Sequence, residues 1–149
     1  MSDEFIHYTH SIGNNIHHFE WCTKYRYKLF ATPYMAKILR DILYEVANRY
    51  HIRIVELGIM PDHIHMAVDL HPTMPQSKAA QLLKGASSYE LFRAVPNLRY
   101  RYPQGHLWSR GNFKDSLGRL TSEAAQQYIR EQNNIHQFSI ADFTGSCGL

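Results

Sequence analysis

Two histidines on a predicted strand carry the strongest chemical signal in the sequence. His63 and His65 are two positions apart, and they directly follow the turn residues Pro61 and Asp62. Because successive side chains of a strand point to opposite faces, both imidazoles project from the same side of a rigid support. Such a pair can share one divalent cation. The alternative, two histidines on a solvated sheet face, stays open at this point.

A tyrosine far along the chain is a candidate nucleophile. Tyr128 and Gln132 are four residues apart on a predicted helix, so they share one helical face. A phenol can attack covalently when a metal or a base favours its phenolate, and the amide oxygen of Gln132 can be a third ligand beside His63 and His65. Three neutral ligands leave the charge of the cation uncompensated, so the site would attract an anion such as a DNA phosphate. A packed aromatic is the alternative for Tyr128, since the chain has ten tyrosines.

The elements that position these residues follow from side-chain periodicity. Thr32 and Pro33 begin the clearest helix, whose apolar residues recur at helical spacing. Strand-like segments are rich in β-branched and aromatic residues, and Gly85 and Gly118 are expected to interrupt a helical region and the last strand. The predicted strands cover residues 16–23, 52–60 and 63–70 and part of 107–117, and the predicted helices cover 33–50, 75–83, 86–92 and 121–134.

The order of these elements predicts the fold. A β-α-β-β-α-β order followed by a helix is typical of an α+β, ferredoxin-like antiparallel sheet, the split βαβ arrangement also found in RNA-recognition domains. Helices pack on this sheet, and the C-terminal helix carries Tyr128. A length of 149 residues fits one domain, so we expect residues 1–149 to form a single unit. Hydrophobic residues make up 44% of the chain, which predicts a packed core.

Positive charge is concentrated in one part of the chain. Residues 76–119 contain eight basic and two acidic residues, although the whole chain carries only +3. A second basic cluster, around Lys24 and Arg26, is interleaved with tyrosines. Cations beside aromatic faces are what a groove for single-stranded nucleic acid requires. Ordinary solvated surface is the alternative for each candidate phosphate contact: Lys24, Arg26, Lys84, Arg110 and Lys114.

Cysteine usage and apolar runs bound the cellular setting. Two cysteines, Cys22 and Cys147, exclude a disulfide scaffold and favour a reducing, intracellular environment. The first ten residues have neither a basic start nor an apolar run, as a signal peptide would, and no apolar stretch is long enough to span a bilayer. We therefore expect a cytoplasmic protein with no membrane partner.

Taken together, the motifs resemble the single-tyrosine HUH transposases of the insertion-sequence 200/605 family. The histidine pair alone is only moderately specific for this family. The full set of motifs, in this order and with the tyrosine helix at this distance, is strongly specific. Matching segments run from Trp21 to Gln132, nearly the whole chain. They are Trp21-Cys22-Thr23-Lys24-Tyr25-Arg26, Pro61-Asp62-His63-Ile64-His65, Lys84-Gly85-Ala86-Ser87-Ser88, Leu107-Trp108-Ser109 and Tyr128-x-x-x-Gln132.

The resemblance implies a homodimeric enzyme that acts on single-stranded DNA. His63, His65 and Gln132 would hold Mg²⁺ or Mn²⁺, and Tyr128 would attack a phosphodiester, form a 5′-phosphotyrosine and free a 3′-hydroxyl. Family members recognise hairpins near the ends of the element, and they often place the tyrosine helix over the partner's metal site. Gly118 lies at the hinge of the family, where some relatives have two glycines, so the choice between cis and trans stays open.

The sequence is compatible with three hypotheses of function. The first is the metal-dependent transposase, either mobile or domesticated to act on genomic repeats. The second is a module that binds single-stranded nucleic acid on an RNA-recognition-like sheet without cutting it. The third is a metallohydrolase in which His63 and His65 activate water and Tyr128 has no role. Only the first accounts for both the Tyr128–Gln132 spacing and the match along the chain.

Overall fold

A computed structural model describes the backbone of residues 12–139 and the side chains of residues 14–132. Four strands and three helices make up this part of the chain, together with short 3₁₀ segments at Lys24–Arg26 and Pro96–Tyr100. In chain order the elements are β1 (Ile12–Cys22), α1 (Pro33–Arg49), β2 (Arg53–Ile59), β3 (His63–Asp69), α2 (Gln76–Ala94), β4 (Phe113–Thr121) and α3 (Ser122–Ser139).

The strands form one antiparallel sheet in the order β2-β3-β1-β4. This is the order of the split βαβ fold, so the predicted ferredoxin-like class is confirmed. β1 and β3 lie at the centre, and their register pairs Glu20 with His65 and Cys22 with His63. The β2–β3 hairpin turns at Pro61 and Asp62, as its sequence predicts.

The two faces of the sheet differ in what covers them. Ile64, Met66 and Val68 of β3 point into the main core, which α1 and α2 close. His63, His65 and Ala67 point to the opposite face. There α3 packs along the sheet, and a small second cluster joins Ile16, Ala67, Ala125 and Ile129. The C-terminal helix therefore covers the face that carries the two histidines.

Side-chain caps begin two of the helices where the sequence predicts them. The Thr32 hydroxyl accepts a hydrogen bond from the backbone N–H of Met35 at 3.4 Å, at the start of α1. The Thr121 hydroxyl accepts one from the N–H of Ala124 at 3.1 Å, at the start of α3. Each cap satisfies a donor that the first helical turn leaves without an intrahelical partner. α3 continues to Ser139, five residues past its predicted end.

Two glycine predictions are wrong. Gly85 does not divide a helical region, because α2 runs unbroken from Gln76 to Ala94 and buries Leu83 and Leu91 on either side of it. A glycine inside a helix costs only about 1 kcal/mol, which tertiary packing offsets. Gly118 does not end the last strand. It adopts φ +68° inside β4, where a register shift near Ile16 forms a bulge and lets pairing with β1 continue.

Among the helices of residues 12–139, none combines the length and the apolar composition needed to cross a membrane.

The two glycines give a matched stability test. Within the described chain, a Cβ added at either position would have no heavy atom within 4 Å. The atoms left out of this comparison are those of the two chain neighbours and, for Gly85, the nearby backbone of its own helix. Gly118→Ala is expected to lower the free energy of unfolding by about 1–2 kcal/mol, because an L side chain is strained at positive φ. Gly85→Ala is expected to raise it by about 0.5–1 kcal/mol, because alanine loses less entropy in a helix. Denaturant unfolding at equal protein concentration measures both, and equal effects would contradict the assigned bulge.

Candidate active site

β3 brings the two predicted histidines together in the interior. His63 is 3% exposed and His65 is fully buried, and their ring centroids lie 6.0 Å apart. They share one face because they occupy alternate positions of the strand. The alternative of two histidines on a solvated sheet face is therefore wrong, since α3 covers this face.

Asp62 orients the first of the two rings. Its Oδ1 lies 2.8 Å from Nδ1 of His63, and its Oδ2 lies 3.3 Å from Nε of Arg26. Burial alone would raise the pKa of Asp62, but the hydrogen bond and charge of His63, with those of Arg26, outweigh it and lower the pKa. An ionised carboxylate only accepts hydrogen bonds, so Nδ1 of His63 donates to it, and in the neutral ring Nε2 is then the nitrogen with a lone pair for a ligand.

β1 adds two residues to this face that sequence reasoning did not single out. Glu20 is 2% exposed, and its Oε1 lies 3.9 Å from Nε2 of His63. His18 is 1% exposed, and its ring centroid lies 6.1 Å from that of His65. Both point to the histidine face because they alternate along a strand that pairs with β3. The alternation is visible in the sequence, but the pairing partner of β1 is not.

α3 places the candidate nucleophile above the same face. The hydroxyl of Tyr128 lies 3.4 Å from Nδ1 of His18, and the two rings meet edge to face with centroids 5.3 Å apart. Tyr128 is half-buried. Burial raises the pKa of its phenol, and the carboxylates of Asp115 and Glu20 raise it further. The phenol is therefore protonated at neutral pH in this arrangement.

Gln132 lies one turn beyond Tyr128 on α3 and is half-buried. The predicted shared face is thus present. A direct hydrogen bond from Gln132 to His63 or His65 is not among the contacts within residues 14–132.

The donor set fits a divalent cation in part. Two buried imidazoles lie side by side, Asp62 orients one of them, and the Glu20 carboxylate adds negative charge nearby. Imidazole suits transition metals, and carboxylate or amide oxygen suits Mg²⁺ and Mn²⁺. Within the described residues, no three His, Cys, Asp or Glu side chains are grouped closely enough to form a complete cluster. Among the described residues, a third ligand would therefore be of another type, as the amide of Gln132 is.

The five candidate phosphate contacts have different surroundings. Arg26 makes the ion pair with Asp62, and Nζ of Lys84 donates to the carbonyl oxygen of Ser109 at 2.7 Å. Burial lowers the pKa of Lys84, and the nearby charge of Lys114 lowers it further. Arg110 and Lys114 are exposed. Their surroundings suit these two for phosphate contact better than Arg26 and Lys84.

The basic turn after β1 presents an exposed aromatic ring. Tyr25 is 57% exposed, stacks on Tyr102 at an interplanar angle of 12°, and has Nζ of Lys24 5.2 Å from its ring centroid. Tyr25 and Arg26 both have positive φ, of 63° and 54°. A non-glycine residue rarely adopts this conformation, so surrounding contacts must hold the turn. One of them is the Arg26–Asp62 ion pair, which links the turn to the histidine site.

A family comparison identifies this arrangement. The model of the family described as "Transposase IS200 like" matches residues 11–132. The match spans both histidines, the tyrosine and the glutamine. This chain belongs to the IS200-like transposases. It is therefore a transposase of the insertion-sequence 200/605 type, which implies a DNA-cutting enzyme.

Two curated relatives support the assignment to this transposase family. The chain is 30% identical over 118 residues to "ISDra2 transposase TnpA" of Deinococcus radiodurans, across 79% of this chain and 84% of that protein. It is 31% identical over 123 residues to the "Transposase for insertion sequence element IS200" of Salmonella typhimurium, across 83% of this chain and 80% of that one. The similarity thus covers most of both partners in each case.

Solved structures share the fold of this transposase. A crystal structure of a putative transposase from Deinococcus radiodurans aligns with a TM-score of 0.64 and 27% identity, over 82% of this chain and 88% of that one. A REP-associated tyrosine transposase bound to a REP hairpin aligns with a TM-score of 0.55 and 17% identity, over 85% and 70% of the two chains. The second likeness shows the fold alone.

The Asp62 contacts predict a pH-dependent contribution to stability. Asp62→Asn removes the charge that holds His63 and Arg26, and we expect a loss of about 1–3 kcal/mol in the free energy of unfolding at pH 7. The folded-state pKa of Asp62 is lowered, so its contribution is full above about pH 4 and disappears as the pH falls through the folded-state value. Denaturant unfolding at pH 7 and pH 3 measures the difference.

The exposed pair Lys37–Asp41 supplies the control for this substitution. Its side chains are 76% and 64% exposed. Asp41→Asn is expected to change the free energy of unfolding by at most about 0.5 kcal/mol at either pH. A loss for Asp62→Asn that is equally small, or one that does not shrink in acid, would contradict the assigned role of Asp62.

Proposed function

We propose that this transposase cleaves and rejoins single-stranded DNA through a covalent link to Tyr128. The observation that carries the proposal is the placement of the Tyr128 hydroxyl, through its contact with His18, on the sheet face that holds His63 and His65. Membership of the IS200-like family supports the proposal, because the family match spans His63, His65 and Tyr128. The metallohydrolase hypothesis assigns no role to the half-buried phenol of Tyr128 at this position.

The proposed reaction is a transesterification at phosphorus. The phenolic oxygen of Tyr128 bonds to the phosphorus, and the bond from phosphorus to the 3′-oxygen of the preceding nucleotide breaks. The phenol gives up its proton, the 3′-oxygen gains one, and a 5′-phosphotyrosine remains on the protein. Attack by a 3′-hydroxyl reverses these changes and rejoins a strand. No nucleotide cofactor is required, because the phosphotyrosine keeps the energy of the broken ester.

Mg²⁺ or Mn²⁺ is the proposed cofactor, held by His63, His65 and Gln132. When bound, a divalent ion neutralises charge on the phosphate and helps to orient it. The contribution of the chain is to keep the ligands in place: Asp62 holds His63 with its Nε2 facing away from the turn, and burial under α3 excludes water. The nearby carboxylate of Glu20 offsets part of the positive charge that three neutral ligands leave.

The proposed substrate is single-stranded DNA that contains hairpins near the ends of the element. A fold relative, the REP-associated tyrosine transposase, was solved with a REP hairpin. In this chain the exposed Arg110 and Lys114, with Lys24 and Tyr25 on the basic turn, offer phosphate and base contacts. Arg26 and Lys84 remain candidates whose internal contacts would have to open. We propose a cytoplasmic homodimer and leave mobile and domesticated roles as alternatives.

Replacing the nucleophile tests the covalent step. Tyr128→Phe removes only the hydroxyl, so we expect no covalent protein–DNA adduct and nearly unchanged hairpin binding. The assay is incubation with labelled single-stranded DNA from the flanks of the gene, with Mn²⁺, followed by denaturing electrophoresis. Tyr34→Phe is the matched control, because Tyr34 is 73% exposed on α1. An adduct of wild-type yield from Tyr128→Phe would exclude Tyr128 as the nucleophile.

Metal removal separates the transposase from a binding module. Chelation with EDTA and the substitution His65→Ala are each expected to reduce adduct formation at least about 100-fold, since several kcal/mol of charge stabilisation would be lost. Hairpin binding should persist, and Mn²⁺ should restore only the chelated wild type. His71→Ala is the control, because His71 is exposed and contacts Thr73. Tight binding with no product under any condition would favour the non-cleaving module, and a product with a free 5′-phosphate would favour a hydrolase.

A further inference from the structure

His18 lies between the candidate nucleophile and the histidine pair, yet the family motifs give it no role. It is 1% exposed on the central strand β1. Among the side chains of residues 14–132, its ring meets Phe113 edge to face at 5.2 Å, Tyr128 edge to face at 5.3 Å, and His65 at 6.1 Å between centroids. A side chain packed on several sides and carried by the middle of a sheet has little freedom to move.

The contact with Tyr128 is polar as well as packed. The phenolic oxygen lies 3.4 Å from Nδ1 of His18. A phenol is the donor in such a pair when Nδ1 carries no proton, which requires the neutral ring to hold its hydrogen on Nε2. The raised pKa of Tyr128 keeps the hydroxyl protonated and able to donate. The distance is long for a hydrogen bond, as such contacts often are in a protein without its substrate.

The geometry also explains why a helix residue would need this support. Tyr128 sits on α3, which follows the bulge at Gly118 and rests on the sheet through a small apolar cluster around Ala125 and Ile129. The phenol ring packs against the edge of that cluster and is only half-buried. Packing alone fixes the ring plane but not the direction of the hydroxyl. A fixed acceptor on β1 supplies that direction.

We propose that His18 is a positioning residue for the nucleophile: its Nδ1 accepts a hydrogen bond from the Tyr128 hydroxyl and holds the phenolic oxygen on the face of His63 and His65. Its effect on rate rests on the function proposed above, but the hydrogen bond itself does not. An enzyme gains rate by holding a nucleophile close to its reacting geometry before the reaction starts. His18 would therefore affect the rate of adduct formation and not DNA affinity.

Three substitutions at His18 separate the polar role from packing. The amide oxygen of His18→Asn reaches about where Nδ1 lies, that of His18→Gln reaches about where Nε2 lies, and His18→Leu fills space without an acceptor. At saturating DNA and Mn²⁺, we expect adduct formation within about threefold of wild type for Asn, and about 10- to 100-fold slower for Gln and Leu, the range expected for one lost hydrogen bond. Hairpin affinity should be equal in all four proteins.

Two rate patterns would overturn the proposal. One is a wild-type rate for His18→Leu, which would show that no acceptor is needed. The other is an equal loss for the Asn and Leu variants, which would indicate a role in packing alone.

A measurement without DNA or metal tests the hydrogen bond independently of the reaction. The imidazole ¹⁵N resonances of His18 are compared in the full-length wild type, Tyr128→Phe and Tyr34→Phe. We expect the Nε2–H tautomer in the wild type, a shift of the Nδ1 resonance in Tyr128→Phe, and no shift in Tyr34→Phe. An unmoved resonance in Tyr128→Phe overturns the proposal. A wild type that forms no adduct but shows this shift would refute the proposed function and leave the hydrogen bond established.

Discussion

The pairing of β1 with β3 determines which side chains can meet in this protein. Both strands lie at the centre of the sheet, and their antiparallel register pairs Glu20 with His65. Side chains alternate along each strand, so a shift of one residue in either would move its polar set into the main core. The apolar side chains Phe19, Trp21, Ile64 and Met66 hold that register by filling the core on the opposite face. The polar face of the site is therefore a consequence of core packing.

Burial gives this polar face its chemical character. Two imidazoles and a carboxylate under a helix would be costly to hide from water unless they bond to one another or to a ligand. Asp62 meets part of that requirement by accepting from His63 and pairing with Arg26. The same ion pair links the basic turn to the site, because Arg26 belongs to the turn and its side chain bonds to Asp62. The turn is strained at this point, since Arg26 has a positive φ. Arg26 and Asp62 thus link the turn that presents Tyr25 to the buried histidine pair through direct contacts.

Local patterns in the sequence predicted most elements and the four residues on which the proposed chemistry depends. The alternation of side chains along a strand placed His63 and His65 on one face of β3. Helical spacing placed Tyr128 and Gln132 on one face of α3. Non-local pairing was not predictable in this way, so His18 and Glu20 were missed although their alternation is present in the sequence. Glycine also misled: Gly85 is accommodated by packing on both sides, and Gly118 forms a bulge whose partner strand lies about a hundred residues earlier in the chain. In each case a tertiary contact outweighed a local preference.

The identity of the residue that becomes linked to DNA tests the central claim most directly. Trypsin cleaves after Arg119 and Arg130, which releases a peptide, Leu-Thr-Ser-Glu-Ala-Ala-Gln-Gln-Tyr-Ile-Arg, whose only tyrosine is Tyr128. After the protein reacts with single-stranded DNA from its own flanks, nuclease and trypsin digestion followed by mass spectrometry should find a 5′-phosphonucleotide on this peptide. A nucleotide on a peptide that contains any other tyrosine, or cleaved DNA with no peptide attached, would contradict the account.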